Sequence, residues 1–187
     1  MRSHLLSVLF LLAITVLNFG QSAKATLYEG LDLEDAKDFK GAKEKYDEVI
    51  STSPTGKVGV MAYYYRGNLF RRKNDYRAAR ADYNKAVKLS QLRTDLPPKL
   101  IADLHFNRGL LRYEGFDWEG ALADFSKASS SDPGYAASHA YQGLLNYKLK
   151  NKATACANFQ IAISLNASIV LKPQFEEAYK KTKNKCK

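Results

Sequence analysis

The sequence predicts an all-α fold assembled from four helical hairpins, and three observations carry that prediction. The first is a recurring spacing. Gly109 is followed at fixed distances by Trp118, Ala121, Phe125, Ala128 and Pro133, and the same ruler laid on Gly67 meets Tyr76, Ala79, Tyr83 and Ala86. On Gly30 it meets Phe39, Ala42, Tyr46, Val49 and Pro54, and on Gly143 it meets Ala155, Phe159 and Ala162. The second is periodicity: within each copy the apolar residues fall at i, i+3 and i+7, the stripe of an amphipathic helix. The third is punctuation. Ser53-Pro54, Asn74-Asp75 and Asp132-Pro133-Gly134 stand between the stripes, where helices stop and turn.

Taken in order, the chain opens with Arg2 and His4 before an apolar run from Leu5 to Phe19, followed by Ala23-Lys24-Ala25. A basic start, an apolar stretch and an A-x-A site form the pattern of a cleavable export signal over residues 1–25. An uncleaved anchor is the alternative, although the run is shorter than the roughly 20 residues a spanning helix needs. No cysteine stands near the cleavage site, which argues against a lipid anchor there.

Residues 26–187 are then read as one domain of repeats at about 26–54, 60–91, 98–133 and 136–167, with a capping helix at about 173–184. Thr26 to Glu34 gives the first helix, and Phe39 to Ile50 the second. A polar connection over Thr55 to Gly59 leads to a helix starting near Val60. Pro97-Pro98 stands at the start of the third hairpin, where a missing N–H costs little. The glycines are separated by 37, 42 and 34 residues, and the long middle gap predicts a first helix of the third hairpin lengthened by about a turn. The fourth turn, Leu149 to Lys152, lacks the acidic-aromatic pair of Asp38-Phe39, Asp75-Tyr76 and Asp117-Trp118, as a divergent terminal unit should. Phe175 and Tyr179 then face inward from a last helix whose lysines and glutamates face water.

These residues resemble the tetratricopeptide repeat family, whose 34-residue unit places a small residue, an alanine, an aromatic and a second alanine at the sites occupied here by the ruler. The resemblance spans nearly all of residues 26–187. It departs at the family's tryptophan site, filled by Thr26, Tyr63, His105 and His139, and in the missing prolines of the second and fourth units. What it implies is a right-handed α-solenoid of four hairpins and a cap, with a concave groove lined by the first helix of each unit. Carried over residue by residue, that groove is expected to present Tyr64, Tyr65, Asn68, Arg71 and Arg72, then Phe106, Asn107, Leu110 and Tyr113, then Tyr141, Leu144 and Tyr147. Aromatic anchors beside amide and guanidinium donors suit an extended peptide or a helix. The carboxylate clamp of some family members is incomplete, because Tyr64, Ala137 and Tyr141 stand where its basic arms would be.

The formal net charge of +10 raises nucleic acid as a partner. No nucleic-acid motif occurs, however, and an exported protein rarely meets one, so none is expected. No nucleophile motif, phosphate loop or zinc-ligand spacing is present, which points away from an enzyme and implies no cofactor and no metal. His105 and His139 fall on packing positions. Cys156 and Cys186 are the two cysteines, and an even count in an oxidising compartment favours a disulfide, with two free thiols as the alternative. The spacing of Phe175, Tyr179, Thr182 and Cys186 places Cys186 on the apolar face of the last helix. Asn166-Ala167-Ser168 has the form of a glycosylation acceptor. The function expected is an exported, non-enzymatic scaffold binding a protein or peptide, an envelope assembly adaptor in type. Binding of anionic envelope polymers or lipids through the basic surface is the alternative. No stable membrane span is expected after signal cleavage, and the sequence leaves the oligomeric state open.

Overall fold

A computed structural model describes residues 22–186, and within them the chain is all-helical. The expected export signal lies outside the described residues except for its last four. The chain divides between Asp95 and Leu96 into two compact units. The first holds α1 (residues 22–35 as far as described), α2 (Phe39–Thr52), α3 (Lys57–Arg72) and α4 (Tyr76–Ser90). The second holds α5 (Pro98–Glu114), α6 (Trp118–Ser131), α7 (Ala136–Lys148), α8 (Lys152–Leu165), a 3-10 turn (Ile169–Leu171) and α9 (Pro173–Thr182).

Each hairpin turns in the same way. Asp38, Asp75 and Asp117 cap α2, α4 and α6, their carboxylates accepting from the N–H groups of Gly41, Ala78 and Gly120 at 2.9, 3.0 and 3.0 Å. The residue before each cap is left-handed: Lys37, Asn74, Phe116 and Lys150 have φ of 65°, 59°, 62° and 65°. The N–H of the next residue then reaches back five positions to close the preceding helix, as Asp75 does to the Phe70 carbonyl at 2.9 Å. Asn151 makes no side-chain cap, consistent with the divergent fourth turn.

The ruler residues are the packing set. Tyr46, Tyr83, Phe125 and Phe159 are fully buried, and each ring lies against the glycine of its own hairpin. A Cβ placed on Gly67 would stand 2.8 Å from the Tyr83 ring, so only glycine lets the two helices approach this closely. In the first unit Ala42 and Tyr46 join Leu27, Val49, Ala62 and Leu69 in one core. In the second, Ala140, Leu144, Phe159 and Ala162 pack against Ile169, Val170, Phe175 and Ala178, so that α9 closes over both helices of the last hairpin.

Three expectations change. α3 begins at Lys57, not near Val60, because the chain passes so close to the Ser53 carbonyl and the Pro54 backbone that Gly59, inside the helix, has no room for a side chain. The long glycine spacing is taken up only in part by α5, which has 17 residues against the 13 of α7, where the spacing is the uninterrupted 34; the rest forms the connection from Gln91 to Pro97. Finally α9 ends at Thr182, so Cys186 lies beyond the helix. It is nonetheless bonded to Cys156, with the two Cα atoms 5.3 Å apart, because the tail folds back onto α8.

Candidate functional site

On α3, Tyr64 and Tyr65 are half-buried, with ring centroids 5.1 Å apart. Tyr65 turns toward the first hairpin and stacks on Tyr46 at 5.9 Å, while Tyr64 leans on Tyr83 of its own hairpin at 6.3 Å. Asn68 accepts the Tyr83 hydroxyl proton at 2.6 Å. Burial pushes that phenol's pKa well up; the Arg71 charge beside it pulls the other way. Arg72 is more exposed. Its guanidinium sits 5.5 Å from the Phe39 ring and 3.0 Å from the Glu34 carboxylate, in a shallow depression completed by Asp35 and Lys37. The expected tyrosine, amide and arginine set of this helix is thus brought together on one face within the first unit.

The second unit gathers its set into a ring cluster. Phe106 lies 4.8 Å from Tyr135, 5.4 Å from Phe125 and 5.8 Å from Tyr141. Tyr141 stacks on Phe125 at 4.9 Å and meets Phe175 of α9 edge-on at 4.9 Å, while Tyr113 approaches it at 5.6 Å. Leu144 is 5% exposed, and Tyr147 packs against the same core as α9. On α7, therefore, the residues expected to line a groove lie beneath the last helix. Leu110 and Tyr113 border the Ala121, Phe125 and Leu145 cluster, and Asn107 donates to the Asp103 carbonyl at 2.9 Å. A second shallow depression, formed by Tyr113, Glu114, Phe116, Trp118 and Lys148, repeats the first by position, with Lys148 over the Trp118 ring at 5.2 Å.

Sequence reading missed the ionic pairs inside the hairpins. Glu29–Lys45 at 2.5 Å, Arg66–Asp82 at 2.7 Å and Arg108–Asp124 at 2.6 Å occupy one repeat position, with the signs exchanged in the first hairpin. The signal was present: these residues immediately precede the ruler glycines and the ruler aromatics. Arg66 also reaches Asp47 of the preceding hairpin at 2.6 Å. Asp124 is the most enclosed of these groups. It accepts from His105 Nδ1 at 2.9 Å, from Arg108 and from Arg112. Burial works against its charge, but the hydrogen bonds from His105 and Arg108 and the neighbouring guanidinium charges outweigh it and hold its pKa below the ordinary carboxylate range. His105 is thus a buried partner of Asp124, whereas His139 is half-buried with Nε2 3.3 Å from the Pro133 carbonyl. Among the described residues no group of three or more His, Cys, Asp or Glu could hold a metal ion. Asn166 is exposed, its amide oxygen accepting from the N–H and hydroxyl of Ser168.

Residues 60–91, which hold α3 from Val60 onward, α4 and their turn, match the family model described as tetratricopeptide repeat. No curated protein matches the chain by sequence. Among solved structures the chain is similar to the crystal structure of MamA protein, at 17% identity over 89% of this chain and 85% of that one, with a TM-score of 0.69. A tetratricopeptide repeat protein from Parabacteroides merdae ATCC 43184 is similar at 20% identity over 88% of this chain, with a TM-score of 0.69; the match spans 61% of that longer chain. PilF of Pseudomonas aeruginosa is similar at 18% identity over 89% and 72% of the two chains, also with a TM-score of 0.69. At these identities the likeness is one of fold.

Proposed function

We propose that this chain, a tetratricopeptide repeat protein by its fold and by the repeat at residues 60–91, is an exported scaffold that binds a protein or peptide segment on the first-helix face of its second hairpin, as an adaptor in envelope assembly. The fold is one whose members are typically non-catalytic scaffolds for protein partners. The observation that carries the reading is the α3 face, where two half-buried tyrosine rings, an amide and two guanidinium groups stand side by side. Rings in such a setting offer large apolar area at little cost in side-chain entropy, and the guanidinium groups can pair with carboxylates or backbone carbonyls. Two observations favour export: the N-terminal signal pattern, and a disulfide of the kind that persists in oxidising compartments. Among the described residues no helix is long and apolar enough to cross a membrane.

The test is crosslinking and recovery of partners from the compartment that holds the protein, with the wild type beside a Tyr64→Ala, Arg72→Ala variant. The variant should lose at least tenfold of the bound partner while keeping the wild-type melting curve. Unchanged recovery would refute the α3 face. The exposed lysines of the C-terminal segment favour the second reading, attraction to anionic polymers or lipids. Salt distinguishes the two: charge-driven binding is screened away at about 0.5 M salt, where binding anchored by buried rings persists.

A further inference from the structure

The four second helices carry one equivalent ridge at intervals of four residues, and only the last is apolar throughout. It reads Lys40, Glu44, Glu48 and Thr52 on α2; Arg77, Ala81, Lys85 and the buried Leu89 on α4; Glu119, Ala123, Lys127 and Ser131 on α6. On α8 it reads Ala153, Ala157, Ile161 and Leu165, all exposed, with Ile161 and Leu165 at 44% and 43%. Nothing in the hairpin fold requires this change, since the other three hairpins are built with charges there. No charged side chain occurs from Ala153 to Leu171 in a chain whose net charge is +10. Leu171 in the following turn is itself 68% exposed.

We infer that this ridge of α8 is a homodimer interface, in which a second copy packs antiparallel about a two-fold axis passing near Phe159. The order of side-chain sizes is what selects that arrangement. Two small residues are followed by two large ones, so an antiparallel partner sets Ala153 against Leu165 and Ala157 against Ile161, filling each shallow site with a long side chain; a parallel partner sets small against small and large against large. Charge selects the same occupant. Two copies of a strongly basic chain repel through most of their surfaces and meet without repulsion where neither carries charge. Antiparallel packing also brings Lys152, at the start of one α8, to the carboxyl end of the other, where the unpaired carbonyls favour a cation; parallel packing would bring the two Lys152 side chains together. The helix is about 21 Å long. A face about 21 Å long and about 10 Å wide covers only a few hundred Å² on each copy, below the roughly 1,000 Å² of a stable interface, so the dimer should be weak, form toward the upper end of the micromolar range and dissociate on dilution. This surface is separate from the α3 face proposed for partner binding, and two copies would present that face twice.

The test is sedimentation velocity on the protein as its host produces it, with the N-terminus read by intact mass, from about 1 to 200 µM. The wild type should shift from monomer to dimer across the series. Ala157→Lys and Ile161→Glu, each alone, should stay monomeric. An equimolar mixture of the two should recover the dimer, because only the antiparallel pairing places the introduced lysine of one copy against the introduced glutamate of the other. Both positions are exposed, so melting curves should match the wild type; a variant that unfolds is replaced by Leu165→Lys. A wild type that remains monomeric throughout, whether or not it binds anionic lipid vesicles, overturns the inference. So do variants that dimerise like the wild type, or a mixture that does not recover.

Discussion

Asp124 is placed so that three donors converge on a carboxylate whose side chain is 3% exposed. Removing it would leave Arg108, Arg112 and His105 facing one another across a buried gap, so Asp124→Ala should cost about 3–5 kcal/mol. The pH dependence follows from the direction of its shift. The folded-state pKa lies below the unfolded one, so the stability this carboxylate contributes is fully present above about pH 4 and is lost as pH falls through the folded value. Urea titrations of the wild type and Asp124→Asn between neutral pH and pH 3 should show the wild type losing stability more steeply below pH 4. Phe116 makes the opposite case. It occupies the left-handed position of its turn at φ 62° with 80% of its surface exposed, where the second hairpin uses Asn74. A bulky side chain is strained there and asparagine is tolerated, so Phe116→Asn should raise stability by roughly 0.5–1 kcal/mol in thermal or urea unfolding. A loss would mean that the contacts of Phe116 in the Trp118 and Lys148 depression outweigh the strain.

At the scale of elements, α9 depends on what holds it to the last hairpin. Its apolar face is short: Phe175 and Ala178 are buried with Thr182, and Tyr179 meets Phe159 edge-on at 5.9 Å. The Cys156–Cys186 bond closes a loop across a sequence separation of 30 residues and ties the tail after α9 to α8. Closure of such a loop restrains the unfolded chain by about 3–4 kcal/mol in the chain-entropy treatment. The Cys156→Ser, Cys186→Ser double variant should lose stability of that order, and hydrogen exchange should quicken in α9 before it quickens in α7. The turns were legible one by one, because an aspartate cap three residues before a backbone donor is a local code. The middle insertion was legible only in part, since glycine spacing counts residues without saying how they divide between helix and loop; Pro97 and Pro98 set the start of α5, giving about a turn to the helix and the rest to the connection.

Across the whole molecule, the candidate binding residues show where sequence reading stops. The repeat phase assigned Tyr64, Phe106 and Tyr141 equivalent standing as first-helix face residues, and nothing local distinguishes them. The structure separates them. Tyr64 stays on a half-open face of the first unit, whereas Tyr141 lies between Phe125 and Phe175. The difference comes from α9, a helix outside the repeat that folds over the last hairpin. The hairpin ion pairs were hidden for a related reason: each joins residues 16 apart on two helices, and the sign exchange at Glu29–Lys45 conceals the pairing from any search for a constant residue type.

The sequence by itself determined the all-helical class, the hairpin phase and the buried glycine, alanine and aromatic set, because each depends on close packing between residues at fixed local spacing. Tertiary structure alone decided which first-helix faces remain open, which carboxylate is enclosed by two guanidinium groups and a histidine, and which outward ridge lacks charge on an exposed surface. Those depend on where a later segment comes to rest, and the free energy of that placement is spread over contacts between distant parts of the chain.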